Sequence, residues 1–391
     1  MIAADRWTVT GEPQAEDRVR EDVAQITEAV TAALGDRLVA LVLVGSYARG
    51  EGGVVLSDRG PRAFNDYDWL CVFDARPTAG ERSALRALGA LLEERRGVSV
   101  DLWPITRAQI AGAQKTLFWL DIAMGGARVL YGDASVLDPV RAMRERDVSL
   151  DEAGRLLANR AAGVALSRLA LRAEQRQPPM SESALSAHGA SRWAEPLVLL
   201  RHTHKAVLAC GDALLLATRR YASTLRERSA ELERMCAGDA ALGRLPASYR
   251  EAMAFRVDAL RWRPAHGQSV SEWNTEVLAL VSIWHLRFER WRAGTPESAV
   301  EYARWRPALY PSSADAQRPS AMIAGALSAW RRRAIVAPWR LRMHPREQLA
   351  RAVVGVAYAP ESALDAVCWS TLGVGEHRAL EPLEQLVQSA G

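Results

Sequence analysis

Lysine is almost missing from this sequence. Of 391 residues only Lys115 and Lys205 carry an ammonium group, and every other member of the 50 basic residues is arginine. Such uniformity points to a codon-composition bias toward arginine, so arginine richness alone does not argue for a nucleic-acid partner. Cysteine is scarce and scattered: Cys71, Cys210, Cys236 and Cys368 form no CxxC pair. That spacing supports neither a disulfide framework nor a zinc site and suits a reducing compartment. No unbroken apolar run approaches the ~18 residues a membrane span needs. The opening MIAADRWTVTGEPQAEDRVRED lacks the basic-then-apolar layout of a signal peptide. The expectation is a cytoplasmic protein with no membrane partner. There is no repeat of fixed period and no low-complexity tract.

What is present suits a globular chain of two domains, or two and a small extension. About half the residues are apolar and a quarter charged. The charge is unevenly placed: residues 1–150 hold 18 Arg/Lys against 22 Asp/Glu, and the remainder 32 against 24. Val19, Val23, Ile26, Val30 and Leu34 recur at helical spacing over 15–35 with Gly35 as a stop, so a helix is predicted there. Residues 38–45, LVALVLVG, read as a short buried strand, 66–73, DYDWLCVF, as a second, and 98–105, VSVDLWPI, as a third. An amphipathic helix over 79–96 separates the last two, with Leu85, Leu88, Leu91 and Leu92 as its apolar stripe.

After LYGD, at 130–133, helical periodicity takes over, in segments near 150–175, 190–218, 220–238, 247–262 and 270–293. QRQPPMSES, 175–183, reads as a turn, and RPALYPSSADAQRPS, 306–320, as a loop or linker. The predicted organisation is an α/β (α+β) domain with a small mixed sheet at 1–135, a larger all-α domain at 136–305, and a helical extension at 306–391.

Chemistry is concentrated in VGSYARGEG, 44–52, NDYDWLCVF, 65–73, and VSVDLWP, 98–104. Side chains two apart on a strand point the same way, so Asp66 and Asp68 form a pair of carboxylates with Tyr67 turned to the other face. Like charges held together are expensive unless a cation lies between them, and hard oxygen donors suit magnesium. Asp101 interrupts an apolar strand. If that strand lies beside the second, Asp101 completes a three-carboxylate site for two metal ions, an arrangement suited to phosphoryl or nucleotidyl transfer. Gly45 permits a sharp turn, Ser46 offers a hydroxyl and an N–H, Gly50 lets a following helix start approach a phosphate chain closely, and Arg49 adds charge.

A glycine-serine turn, an acidic pair spaced by one residue, and a lone acid on a later strand resemble the signature of polymerase-β-like nucleotidyltransferases, closest in layout to the small-molecule (aminoglycoside) members. The resemblance covers about 15–135, including GARVLYGD, and departs in one place: nineteen residues separate Ser46 from Asp66, the excess falling in EGGVVLSDRGPRAF, 51–64, read as an inserted loop or short hairpin. It implies a magnesium-dependent enzyme with Asp66, Asp68 and Asp101 as catalytic metal ligands, two Mg2+ ions, ATP or another NTP as donor, and AMP transfer to a hydroxyl of a small-molecule acceptor. In that family a lysine and a tyrosine from the helical domain reach the triphosphate, which makes Lys205 and Tyr221 the candidates, joining Gly45, Ser46 and Arg49 in nucleotide binding. An exposed lysine and a packed tyrosine are the plainer alternative.

The basic second half suits a neutral or anionic acceptor at least as well as an aminoglycoside. Two other readings stay open: a protein or RNA acceptor, and a non-catalytic nucleotide-binding protein. His202 and His204 fall on different helix faces, so a shared metal is not expected. The late tryptophans, Trp262, Trp273, Trp284, Trp291, Trp305, Trp330 and Trp339, read as helix-packing core. WRRRAIVAPWRLRMHPR, 330–346, interleaves arginine with tryptophan and reads as a solvated helix face.

Overall fold

The computed structural model describes residues 6–57, 60–176, 196–239, 242–257, 262–264, 267–305, 307, 309, 345–372 and 374–390. Most of the 306–320 linker, the 330–346 run up to 344, with Trp330 and Trp339, and the 175–183 turn beyond 176 lie outside them. The fold is mixed α+β, and it divides into two compact units. The first comprises Met1–Ser149 together with Thr218–Ala237 and Arg250–Arg263; the second comprises Leu150–Ala217, Gly238–Tyr249 and Pro264–Gly391.

In the first unit helix α1 (Pro13–Leu34) precedes strand β1 (Ala40–Val44). The expected apolar stripe of α1 is buried throughout, and Gly35 ends the helix at φ 52°. Helix α2 (Gly45–Ala48) follows β1 directly, then hairpin strands β2 (Val54–Ser57) and β3 (Gly60–Ala63). Strand β4 (Tyr67–Phe73), helix α3 (Ala79–Arg96) and strand β5 (Val100–Thr106) come next. Two short helices, α4 (Arg107–Ala111) and α5 (Leu117–Ala123), strand β6 (Ala127–Gly132) and helix α6 (Asp138–Arg141) complete the first stretch.

The main sheet has the order β5-β4-β1-β6. β4 and β5 run parallel, and β1 is antiparallel to both β4 and β6. Because strand side chains alternate, each face has its own core. Leu41, Leu43, Tyr67, Trp69, Cys71 and Phe73 pack under α1 and α3. Val42, Val44, Leu70 and Val72 meet Ile110, Trp119, Ile122 and Val140 from the α4–α6 side.

The α3 stripe needs one correction. Leu85 and Leu92 are buried and Leu88 packs with them, whereas Leu91 is 41 % exposed, one residue off the i, i+3, i+7 line. Gly89 takes part instead: a Cβ there would lie 2.9 Å from the Val100 carbonyl oxygen, so the helix approaches β5 backbone to backbone.

The excess segment at 51–64 is a hairpin, the two-stranded β2-β3 sheet. Tyr47 clasps its base from within: its hydroxyl donates to the Gly53 carbonyl (2.8 Å) and accepts from the Phe64 and Asn65 N–H groups (3.2 and 3.3 Å). The Asn65 amide oxygen accepts from Gly53 N–H across the same neck.

The second unit is helical. Its helices are α7 (Leu150–Arg176), α8 (Pro196–Ala217), α11 (Val270–Ala293), α12 (Ala299–Arg304), α13 (Pro345–Tyr358), α14 (Leu364–Leu372) and α15 (Leu380–Ala390). Between α8 and α11 the chain re-enters the first unit with α9 (Leu225–Cys236), and α10 (Leu245–Val257) begins in the second unit and ends in the first.

α7 packs on α8 and α13, and Arg292 of α11 pairs with Asp151 (2.7 Å) and Glu289 (2.7 Å) while the Tyr302 hydroxyl donates to Glu289. Trp273 and Trp284 are core, as is Trp262 of the first unit; Trp291 is 61 % exposed and is not, because it falls on the outer face of α11. His204 is buried against Trp273 with ring centroids 4.4 Å apart, and burial pushes its pKa down to about 3. No helix of the described residues is long and apolar enough to cross a membrane.

Candidate active site

Tyr67 sets the orientation of the acidic pair. Fully buried, it stacks on Tyr47 (4.5 Å between centroids) and donates to Asp22 of α1 (3.1 Å), itself paired with Arg18 and Arg96. With Tyr67 fixed on the α1 side, alternation turns Asp68 to the opposite face. Asp66 lies one residue before the start of β4.

The parallel ladder pairs Asp68 with Asp101 and Leu70 with Trp103. The helices covering this face meet the sheet at Leu70 and Val72 of β4 and at Ile105 of β5. Asp68 and Asp101, nearer the strand starts, are half-buried. Burial, then the nearby charges of Asp66 and Glu93, push the Asp101 carboxyl above its ordinary range. The repulsion expected of clustered carboxylates is therefore felt at Asp101. Among the described residues no group of three or more His, Cys, Asp and Glu is drawn in closely enough to hold a metal ion by itself. The donor set is nevertheless of hard oxygens carrying a repulsion that a dication relieves, which fits magnesium.

The glycine turn meets these carboxylates. Gly45 has φ 79°, and a Cβ built on it would stand 2.9 Å from Asp68 Oδ2, so the turn and the carboxylate need each other's space. Ser46 is buried in the same turn. The helix that follows β1 starts at Gly45 and spans only four residues. Gly50, expected to precede a helix start, instead follows one at φ 71° and leads toward the hairpin.

Arg49 is engaged elsewhere. Buried, it pairs with Glu51 (3.2 Å) and with Asp121 of α5 (3.6 Å). Asp121 also accepts from the Tyr221 hydroxyl (2.9 Å) and from Arg228 of α9 (3.0 Å), whose guanidinium lies 3.9 Å from the Tyr221 ring centroid. Glu51 caps α9 by accepting the Leu225 N–H (2.6 Å).

Tyr221 was expected on a helix of the second domain. It sits in a non-helical stretch before α9, whose start is fixed at Thr224 by a capping box with Glu227, and it belongs to the first unit. Lys205 lies on α8 of the second unit. The structure thus brings Gly45, Ser46, Asp66, Asp68 and Asp101 into one neighbourhood and joins Arg49 to Tyr221 in a second network. Asp121, Glu51 and Arg228 hold that network: Asp121 and Arg228 follow no motif spacing, and Glu51, though inside the 44–52 segment, reads there as an ordinary turn carboxylate. No known family model matches the sequence, and no curated protein does either.

Proposed function

We propose that the first unit transfers a nucleoside monophosphate, AMP from ATP in the leading case, to a hydroxyl of a small molecule. The observation that carries this reading is the pairing of Asp68 with Asp101 across adjacent parallel strands, with Asp66 acting on Asp101 and the Gly45 turn against Asp68. Asp66, Asp68 and Asp101 would hold magnesium, which when bound neutralises triphosphate charge and acidifies the acceptor hydroxyl. Asp101 would ligate the catalytic ion and take up the acceptor's proton as the acceptor oxygen bonds to the α-phosphorus and pyrophosphate departs. Gly45 leaves room for Asp68 and keeps a side chain out of the approach to it. The Asp121 network secures the returning 218–237 segment to the turn that carries Ser46 and Arg49.

The test is calorimetric titration with ATP, GTP, CTP and UTP, with and without magnesium, on the wild type and on Asp66→Asn/Asp68→Asn. Magnesium-dependent binding of one nucleotide, lost in the variant, is expected. Binding of none of the four would overturn the reading.

A further inference from the structure

A single exposed aromatic side chain is ordinary, whereas contiguous exposed aromatics mark a contact surface. On β5, two residues beyond Asp101 and on the same face, Trp103 is 59 % exposed. Its indole stacks on Phe118 of α5, itself 40 % exposed, with centroids 6.3 Å apart and planes at 19°. Phe118 in turn meets Trp119 edge-on at 5.1 Å, and Trp119 is anchored in the core. The pair is therefore a braced surface. Beyond it, Ile105, two further along the same strand face, opens into a hollow of about 500 Å3 shared with Gln109, Gln114, Thr116 and Trp119. Among the described residues no charged side chain lines that hollow. Lys115, between two of the lining residues, pairs with Asp147 at 3.6 Å.

Carboxylate, aromatic platform and neutral hollow thus succeed one another along a single strand, at steps of about 7 Å set by the strand rise. We infer that this strip is the acceptor site, and that the acceptor is a neutral molecule with an aromatic or saturated ring stacking on Trp103. Its reacting hydroxyl lies within about 7 Å of that ring, where it reaches Asp101. A polycation finds no counter-charge in the hollow and is disfavoured. The inference rests on the transferase reading for the identity of Asp101 as the reacting end.

The probes are phenyl β-glucoside and naphthyl β-glucoside, neutral rings with hydroxyls nearby, and neomycin, a polycation of comparable length. Binding is followed by calorimetry in the presence of magnesium, and magnesium-ATP is titrated into the same samples. The proteins are the wild type, Trp103→Ala, Trp103→Phe, Phe118→Ala and, as a control, Trp291→Ala.

The wild type is expected to bind the glucosides, naphthyl more tightly, and neomycin more weakly than either. Trp103→Ala loses about tenfold in glucoside affinity, the size of one ring-stacking contact, and Trp103→Phe recovers most of it. The loss exceeds any change in nucleotide affinity. Equal glucoside binding by wild type and Trp103→Ala, no glucoside binding by a wild type that binds magnesium-ATP, or preference for neomycin would each overturn the strip while leaving the transferase reading in place. A Trp103→Ala defect confined to ATP would reassign the platform to the nucleobase and equally overturn it. A wild type that binds no nucleotide overturns the transferase reading, and the acceptor assignment falls with it.

Discussion

Asp101 bears burial and the nearby negative charges of Asp66 and Glu93, and all of these raise its pKa in the folded protein. In the unfolded chain it returns to the ordinary carboxylate range. Between those two values the folded state holds a proton that the unfolded state has released, so stability of the metal-free protein falls as pH rises through that window. Above the window the penalty is fully present. Asp101→Asn removes it, and the metal-free variant is expected to melt higher than the wild type at pH 7, with the gap closing as pH drops below the carboxylate range. Magnesium is expected to raise the melting temperature of the wild type and to have little effect on the variant. Thermal melts across pH, with and without the ion, check both. At Gly45 two effects coincide, the left-handed φ and the 2.9 Å approach of Asp68 Oδ2. Gly45→Ala should cost about 1–2 kcal/mol of stability from the backbone alone, measurable by denaturant melts. It should also displace Asp68 and weaken magnesium-dependent nucleotide binding.

At the scale of elements, the hairpin depends on a tyrosine hydroxyl. Tyr47→Phe deletes the contacts to Gly53, Phe64 and Asn65 and leaves the buried Asn65 N–H without its acceptor, a loss of about 1–3 kcal/mol. Faster hydrogen exchange at the Asn65 amide, with β4 unchanged, is the expected signature. Strands β1, β4 and β5, and the adjacency of Asp68 and Asp101, are legible in the sequence because each rests on a local rule. A β-branched run ending in glycine reads as β1, and period-2 alternation around Tyr67 gives the facing of Asp68. Asp101 stands out because it breaks an apolar run. β6 does not read as a strand from sequence, because its residues are neither strongly apolar nor alternating: among the described residues one edge of it pairs, with β1, and its side chains are half-buried or exposed. Arg49 reads from sequence as an anion ligand, yet its partner Asp121 lies 72 positions away and Arg228 another 107 beyond Asp121. Contacts of that separation leave no periodic trace. Tyr221 reads from sequence as helical, whereas its hydroxyl is held by Asp121, 100 positions earlier, with Arg228 over its ring.

Across the whole molecule, the first unit is made from three separate stretches of chain, and the network at Asp121 is where the second returns. Asp121→Ala leaves Arg228 and Tyr221 without their shared acceptor and Arg49 with Glu51 alone. The cost is expected at the low end of the about 3–5 kcal/mol of a broken buried pair, because the Asp121 side chain is 25 % exposed. A chain ended at Ser149 loses Tyr221, Leu225 and Arg228 together. It should melt well below the full-length protein and with poorer cooperativity, as calorimetry would show.

The position of β5 at the border of the main sheet has a further consequence. A border strand offers backbone groups to any chain that passes, and strands of this kind seed aggregation when long and regular. Here Pro104, immediately after Trp103, has no N–H to offer and interrupts the row. The strand that carries Asp101 and Trp103 is thereby a poor template for a second copy pairing along it, and its side-chain face is left for small solutes rather than for another strand.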